Sequence, residues 1–428
     1  MIETKEIYKI FSESSGVFTD TRKPLVNGFY IALKGPLFNG NKYALKALQE
    51  GAIAAIVDDY ELSLKNEKLI YVLNTYSTLK SLAKYHRKKL KCPVFAITGS
   101  NGKTTTKELI KKVFEEFFDT HATIGNLNNH IGVPLTILNT PLDSEFTIIE
   151  MGANHLYEIQ ELCEIAEPTH GFVTNFGKAH IEGFGSESAI IEGKSELYNY
   201  LLISKGTIFV DIDNKNQLKR LNKTPFVSFG QNKKSDYPIS YSNINNELEV
   251  TFKGENFKSP LHGEYNLKNI AAAIVIGYFF RIPITKIRKG IEKYKSNNNR
   301  SQFIKLKNHE IILDAYNANP SSMYVAIRSF KETYPEHAIL ILGDMLELGD
   351  QSSIEHEKIL LLVKKLSFSR IITVGENFEK IKIALSNIEK FSSTKKLLDY
   401  LKINPLKDKY VFIKGSRSMQ LEKILTVL

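Results

Sequence analysis

The segment Ala96-Ile-Thr-Gly-Ser-Asn-Gly-Lys103-Thr104-Thr-Thr106 stands between two different hydrophobic patterns. On its amino side Pro93-Val-Phe-Ala-Ile97 is a short apolar run of strand formers. On its carboxyl side Leu109, Ile110, Val113, Phe114, Phe117 and Phe118 recur at helical spacing among charged residues. Strand, glycine loop and helix in that order aim successive backbone N–H groups and the positive end of a helix at one point, which suits a polyphosphate. In such a loop Lys103 reaches the outer phosphates and the Thr104 hydroxyl ligates magnesium. The strict phosphate-loop pattern would put a glycine where Ile97 stands, and the first glycine here is Gly99. The flanking strand and helix therefore carry the reading, against the bland alternative of a surface turn that contains Gly-Lys-Thr.

A chain of 428 residues is too long for one hydrophobic core and predicts about three domains. Hydrophobic and charged contents of 43% and 24% are those of an ordinary globular protein. The net charge of +10 raises the question of nucleic acid, but the basic residues alternate with Asp and Glu. An anionic small substrate explains the same excess. The two cysteines, Cys92 and Cys163, show no pairing or metal spacing and imply a reducing compartment. The amino terminus lacks the layout of a signal peptide, and no apolar run approaches the ~20 residues that span a bilayer. The expected location is the cytoplasm.

The expected fold class is α/β in three domains, with boundaries at residues 1–91, 92–298 and 299–428. In the first, Phe29–Leu33 and Ala52–Val57 read as strands, with a helix between them capped by Asn41, and a second helix runs from Leu79 to Leu90. Thr19-Asp20-Thr21-Arg22 reads as a capped turn. In the second, Phe146–Glu150 and Gly171–Asn175 are strands ending in polar residues. Ligands of open parallel sheets lie off the carboxyl ends of the strands, so Glu150 and Asn175 should face the phosphate loop, with Glu150 placed for magnesium. His180 follows in a flexible loop that could bring its imidazole to the same metal. Ser188 to Leu202 is helical, and its Glu192, Lys194 and Glu196 read as a solvated face. Asn266 and Asn269 share one side of the first turn of another helix, and Lys295–Arg300 is a polar linker. In the third, Ile311–Leu313, Ala338–Leu342, Ile371–Val374 and Tyr410–Ile413 have the rhythm of βαβ units. Without a G-x-G-x-x-G motif this Rossmann-like sheet should not hold a dinucleotide.

Several motifs, taken together, resemble those of the Mur ligase family of peptidoglycan synthesis. They are Thr98–Thr105, Gly125-Asn-Leu-Asn-Asn-His-Ile-Gly-Val-Pro134, Glu150-Met-Gly152, Thr174-Asn175 with Ala179-His180, Asn266–Asn269, Asp314-Ala-Tyr-Asn-Ala-Asn-Pro320, Gly343–Gly349 and Lys414–Met419. They run through all three expected domains in the family's order. The resemblance implies a uridine-binding first domain, a central ATP-binding domain and a third domain for the incoming dipeptide. It implies an ATP-dependent amide ligase acting through an acyl phosphate, with UDP-N-acetylmuramoyl-tripeptide and D-alanyl-D-alanine as partners, no nucleic acid, and a monomeric state.

By the same resemblance Gly99, Ser100, Asn101, Gly102, Lys103, Thr104, Thr105, Asn269, Arg300, Asp314 and Asn317 hold ATP, and Thr104 and Glu150 share one magnesium. His180 and Lys194 share a second, Lys194 matching the lysine that is carbamylated in many members. Carbamylation needs a neutral amine and turns it into a hard-metal ligand. Lys103, Lys194, His180 and Arg300 are the implied catalytic residues. Asp20, Thr21 and Arg22 would meet the uridine substrate, Asn126, Asn128, Asn129 and Asn319 the muramoyl peptide, and Asp344, Lys414, Ser416 and Arg417 the dipeptide side. One departure touches the uridine pocket, where Asn39-Gly40-Asn41 replaces the family's Asp-Gly-His. Two rivals stay open: a folylpolyglutamate synthase, which would lack the uridine domain, and a nucleic-acid-dependent ATPase, which would leave Glu150, His180 and Lys194 without a role.

Overall fold

The computed structural model describes residues 2–221, 224–244, 247–383, 386–407 and 409–428. Among these, three large sheets follow one another along the chain, each covered by helices, and a two-stranded antiparallel ribbon, Lys34–Gly35 with Phe38–Asn39, lies within the first unit. The first has four parallel strands in the order Val17–Phe18, Phe29–Ile31, Ala54–Val57, Leu69–Tyr71. Asn41 does not cap the helix that follows Phe29–Ile31. Its amide donates to Asp58 Oδ1 at 2.7 Å, and Asn39 instead caps a 3-10 turn, Gly40–Tyr43, ahead of the helix Ala44–Gln49. The longer helix Thr75–Arg87 starts earlier than its apolar pattern suggests because Asn74 accepts from Ser77 N.

The central sheet has nine strands, in the order Glu255–Ser259, Glu247–Phe252, Tyr237–Ile244, Val227–Gly230, Thr207–Asp211, His170–Val173, Val94–Thr98, Phe146–Glu150, Thr120–Ala122. The first three of these pair antiparallel with one another, and every other pairing in the sheet is parallel. Val94–Thr98 lies in the interior, with buried residues throughout. Side chains alternate between faces along a strand, so Val94 and Ala96 pack into one core and Phe95 and Ile97 into the other. The helix Lys103–Phe114 buries Leu109, Ile110, Val113 and Phe114 on that second face, whereas Phe117 lies past its end and is exposed. The helix Asn266–Phe279 packs beside it, with Ala271 to Ile276 all buried and Gly277 close to Val113.

The third sheet carries the four expected strands, as Glu310–Asp314, Ala338–Gly343, Arg370–Val374 and Tyr410–Lys414. Two edge strands, Gln302–Lys305 and Ile388–Phe391, widen it to six, and only the former is antiparallel. Among the described residues no helix is long and apolar enough to cross a membrane.

Candidate active site

Strand order builds this site. Val94–Thr98 pairs with Phe146–Glu150 on one side and His170–Val173 on the other, so the loop leaving Thr98 has Glu150 and Asn175 as its neighbours. Asn175 holds the loop, its Oδ1 accepting from Asn101 N at 3.0 Å and its Nδ2 donating to Asn101 O at 2.9 Å. Gly99 has φ +135°, and a β-carbon there would lie 2.1 Å from Thr174 Oγ1. At Gly102, with φ +80°, it would meet Asn269 Oδ1 at 2.7 Å. Lys103 Nζ donates to the carbonyls of Gly99 at 2.6 Å and Ser100 at 3.2 Å. Burial lowers its pKa to about 8, helped by Arg300 and opposed by Glu150.

Glu150 is 1% exposed, and its Oε1 accepts from Thr104 Oγ1 at 3.0 Å and Asn128 Nδ2 at 2.7 Å. Its Oε2 is buried without a hydrogen-bond partner, and the Lys107 ammonium stands 3.9 Å away. A bare buried carboxylate oxygen beside a threonine hydroxyl is a hard donor set, and it fits magnesium completed by phosphate oxygens. No cluster of three or more His, Cys, Asp or Glu among the described residues would hold a metal unaided.

Lys194 is not on a solvated face. It and Glu196 are 0% and 7% exposed, because the helix Glu187–Ile203 buries Gly193 through Tyr198. Lys194 Nζ donates to Ala153 O at 2.8 Å, and burial, with Lys103 second, pushes its pKa well below the ordinary lysine range. That favours the neutral amine a carbamate requires. His180 lines the cavity, and its Nδ1 is hydrogen-bonded to Glu347 of the third sheet unit. The Glu196 carboxylate is taken up by Tyr157 N and Gln160 N at the start of a helix.

The opposite wall comes from the third unit. The Arg300 guanidinium lies 3.6 Å from the Tyr316 ring centre, with its Nε buried and unpartnered. Asp314 accepts from Lys414 Nζ at 2.5 Å and from Ser301 N at 3.1 Å. Lys414 also donates to Asn317 O, and Asn319 donates from Nδ2 to Asn101 Oδ1 at 2.7 Å, joining this unit to the phosphate loop. Together with Ser100, Thr105, Asn126, Asn129 and Asn269 these residues line one cavity of about 820 Å³.

Other expected site residues lie elsewhere. Asp20 and Arg22 form an exposed ion pair in the first unit, next to the buried Thr21. The Asp344 carboxylate accepts from Asn377 N and Phe378 N. Ser416 Oγ accepts from Leu346 N, and Arg417 pairs with Glu422 at the surface. Cavity residues to which the sequence assigned no role include Asp211, Asn214, Tyr265 and Glu158, and Tyr316, which it quoted only as part of a motif. Asp211 had a legible signal, a buried strand ending in a carboxylate like that of Glu150.

A phosphate loop at the carboxyl edge of a mostly parallel sheet, closed over by a second α/β unit, defines a nucleotide-binding enzyme of the phosphate-loop class. Residues 97–277 match the Mur ligase middle domain and residues 299–417 the Mur ligase, glutamate ligase domain. The chain belongs to the Mur ligase family. It is 35% identical, over 96% of its length and 92% of the relative's, to the UDP-N-acetylmuramoyl-tripeptide--D-alanyl-D-alanine ligase of Bacillus subtilis. To the Escherichia coli protein of that name it is 30% identical over 96% and 93%. A crystal structure of MurF from Acinetobacter baumannii superposes with a TM-score of 0.87 at 25% identity, covering 99% of this chain and 97% of that one. MurF ligase from Thermotoga maritima in complex with ADP gives 0.80 at 25% identity, covering 96% of each.

Proposed function

We propose that this chain is an ATP-dependent amide ligase that adds D-alanyl-D-alanine to UDP-N-acetylmuramoyl-tripeptide, giving the pentapeptide, ADP and phosphate in peptidoglycan synthesis. The observation that carries this is the single cavity in which the phosphate loop, the bare Glu150 oxygen, the asparagine-rich loop and Arg300 converge. Relatives of this name match over nearly the whole chain, and one MurF structure holds ADP.

Joining a carboxylate to an amine in water is uphill, so the carboxylate is first made a better acyl donor. The terminal carboxylate of the tripeptide attacks the γ-phosphorus of ATP, the bond to the bridging oxygen breaks, and an acyl phosphate and ADP form. Lys103 and Arg300 offset the charge of two anions that repel each other, and the loop N–H groups from Ser100 to Thr105 hold the phosphates in line. Asn269, Asp314 and Asn317 seat the nucleoside. The dipeptide amine then attacks the acyl carbon, and departure of phosphate with loss of the amine proton leaves the amide.

Thr104 and Glu150 would hold one magnesium, and His180 and Lys194, the latter as its carbamate, would hold a second. Bound magnesium supplies positive charge across the phosphates and fixes their orientation. Asp20, Thr21 and Arg22 in residues 1–91 bind the uridine end, and Asn126, Asn128, Asn129 and Asn319 position the peptide. Lys414, Asp344, Ser416 and Arg417 in residues 299–428 form the dipeptide side, and residues 92–298 carry the ATP site. The enzyme acts as a cytoplasmic monomer.

The test is phosphate release from ATP and magnesium with UDP-muramoyl-tripeptide, with and without D-alanyl-D-alanine, the nucleotide-linked product being followed by mass. Phosphate that requires both substrates and equals pentapeptide one for one supports the reading. Release indifferent to the dipeptide, without pentapeptide, overturns it.

A further inference from the structure

His180 opens the one-turn helix Ile181–Phe184 at φ +56°, and Glu347 follows the third-unit strand Ala338–Gly343 at φ +61°. Residues with a β-carbon hold this left-handed conformation only where their surroundings over-determine it. Here the two stretches determine each other. His180 Nδ1 is hydrogen-bonded to Glu347 Oε2, Glu182 N donates to Glu347 O at 3.3 Å, and Ile181 packs against the third unit's core. Two further links cross the same seam, from Lys178 N to Ser321 Oγ at 2.8 Å and from Lys178 Nζ to Glu355 Oε1 at 3.5 Å.

An ionised carboxylate only accepts hydrogen bonds, so the proton of this contact sits on Nδ1. In the neutral ring Nε2 is then the nitrogen with the lone pair, on a side chain that lines the nucleotide cavity. Histidines that bind metals generally give their other N–H to a carboxylate, which fixes tautomer and ring orientation.

The geometry points to Glu347 as a positioning residue that sets the His180 tautomer, keeping Nε2 available to a divalent cation. Because Glu347 belongs to the third unit, this ligand is prepared only when that unit closes onto the central one. The inference rests on the reading of His180 as a metal ligand given above, and it adds the residue that makes it one and the motion that controls it. Seating of the dipeptide-side domain and completion of the second metal site become one event.

The test uses full-length protein labelled with 15N in its 10 histidines, with ADP present and the His180 signals assigned by their loss in His180→Gln. Wild type should show the Nδ1–H tautomer. Glu347→Ala should lose that preference, and Glu347→Gln, whose amide oxygen still accepts, should largely keep it. Mn2+ titration by electron paramagnetic resonance should show the weaker of two sites weakened about tenfold or more in Glu347→Ala. Glu347 is surface-exposed in large part, so neither variant threatens folding. An unchanged tautomer in Glu347→Ala overturns the inference. A changed tautomer with unchanged Mn2+ binding in both Glu347→Ala and His180→Gln overturns the ligand reading itself.

Discussion

Replacing Lys414 with methionine tests how the third unit holds its nucleotide-facing wall. The ammonium is 2% exposed and lies 2.5 Å from Asp314 Oδ2, itself on a side chain 14% exposed. At that distance and an effective dielectric of about 20 the Coulomb attraction is about 7 kcal/mol. Most of it offsets the cost of drying both charges, so the pair adds little net stability. Removing the lysine alone is different, because it strands a largely buried carboxylate. The usual cost is about 3–5 kcal/mol, and Asp314 keeps the Ser301 N–H, which places the expectation near the lower end. The adjacent strands Glu310–Asp314 and Tyr410–Lys414 report the change by hydrogen exchange. Exchange of their slowest amides should quicken by roughly 100-fold, which corresponds to about 3 kcal/mol. The double variant Lys414→Met/Asp314→Leu should recover most of the protection. A change below about fivefold in the single variant, or a double variant no better than the single, would refute this account of the pair.

Three other substitutions probe separate parts of the molecule. Gly99→Ala puts a β-carbon 2.1 Å from Thr174 Oγ1 at a backbone angle suited to glycine, so the loop must shift. Combined strain and overpacking of about 2–4 kcal/mol should weaken ADP binding by at least tenfold in calorimetry, and unchanged affinity would contradict it. Burial against Phe279 and Phe280 lowers the His170 pKa to about 4. The unfolded chain then binds a proton that the folded one refuses, so stability is full above about pH 6.5 and falls as pH drops toward 4. The loss is at most about 3 kcal/mol, and His170→Phe should flatten this slope in urea titrations across that range. Lys178→Glu sets a carboxylate against Glu187 and Glu355 at the seam between units. The KM for D-alanyl-D-alanine should rise several-fold with the KM for ATP nearly unchanged; equal changes in both would exclude a seam effect.

The phosphate loop was legible because the hydrophobic period changes across it, from strand to helix, and glycines mark the change. Glu150 was legible for a related reason, as the last residue of a buried strand beside the loop. Lys194 was not, since a charge on a helix reveals nothing about which face the sheet covers, and only the family resemblance pointed to it. The edge strands Gln302–Lys305 and Ile388–Phe391 are half exposed and mixed in composition, so no apolar run announced them. The hairpin Glu247–Phe252 to Glu255–Ser259 did carry a signal. Leu248, Val250 and Phe252 alternate with polar residues ahead of a Lys253-Gly254 turn with both residues at positive φ. Asn41 misled because a cap residue and a buried amide look alike in sequence. Contacts between units, such as Asn101 with Asn319 and His180 with Glu347, join positions far apart in the chain, and no local pattern encodes them.

The phosphate loop is clamped by residues from two other elements, Thr174 and Asn175 beyond one strand and Asn269 on a helix. Its shape is thus fixed by the folded chain, and nucleotide finds donors already aimed. Little conformational entropy remains to be lost on that side when it binds. The seam with the third unit is held by a handful of polar contacts, so the ordering cost of the reaction falls there. Affinity for ATP should consequently depend weakly on the hinge, and selection between competing acyl acceptors strongly on it.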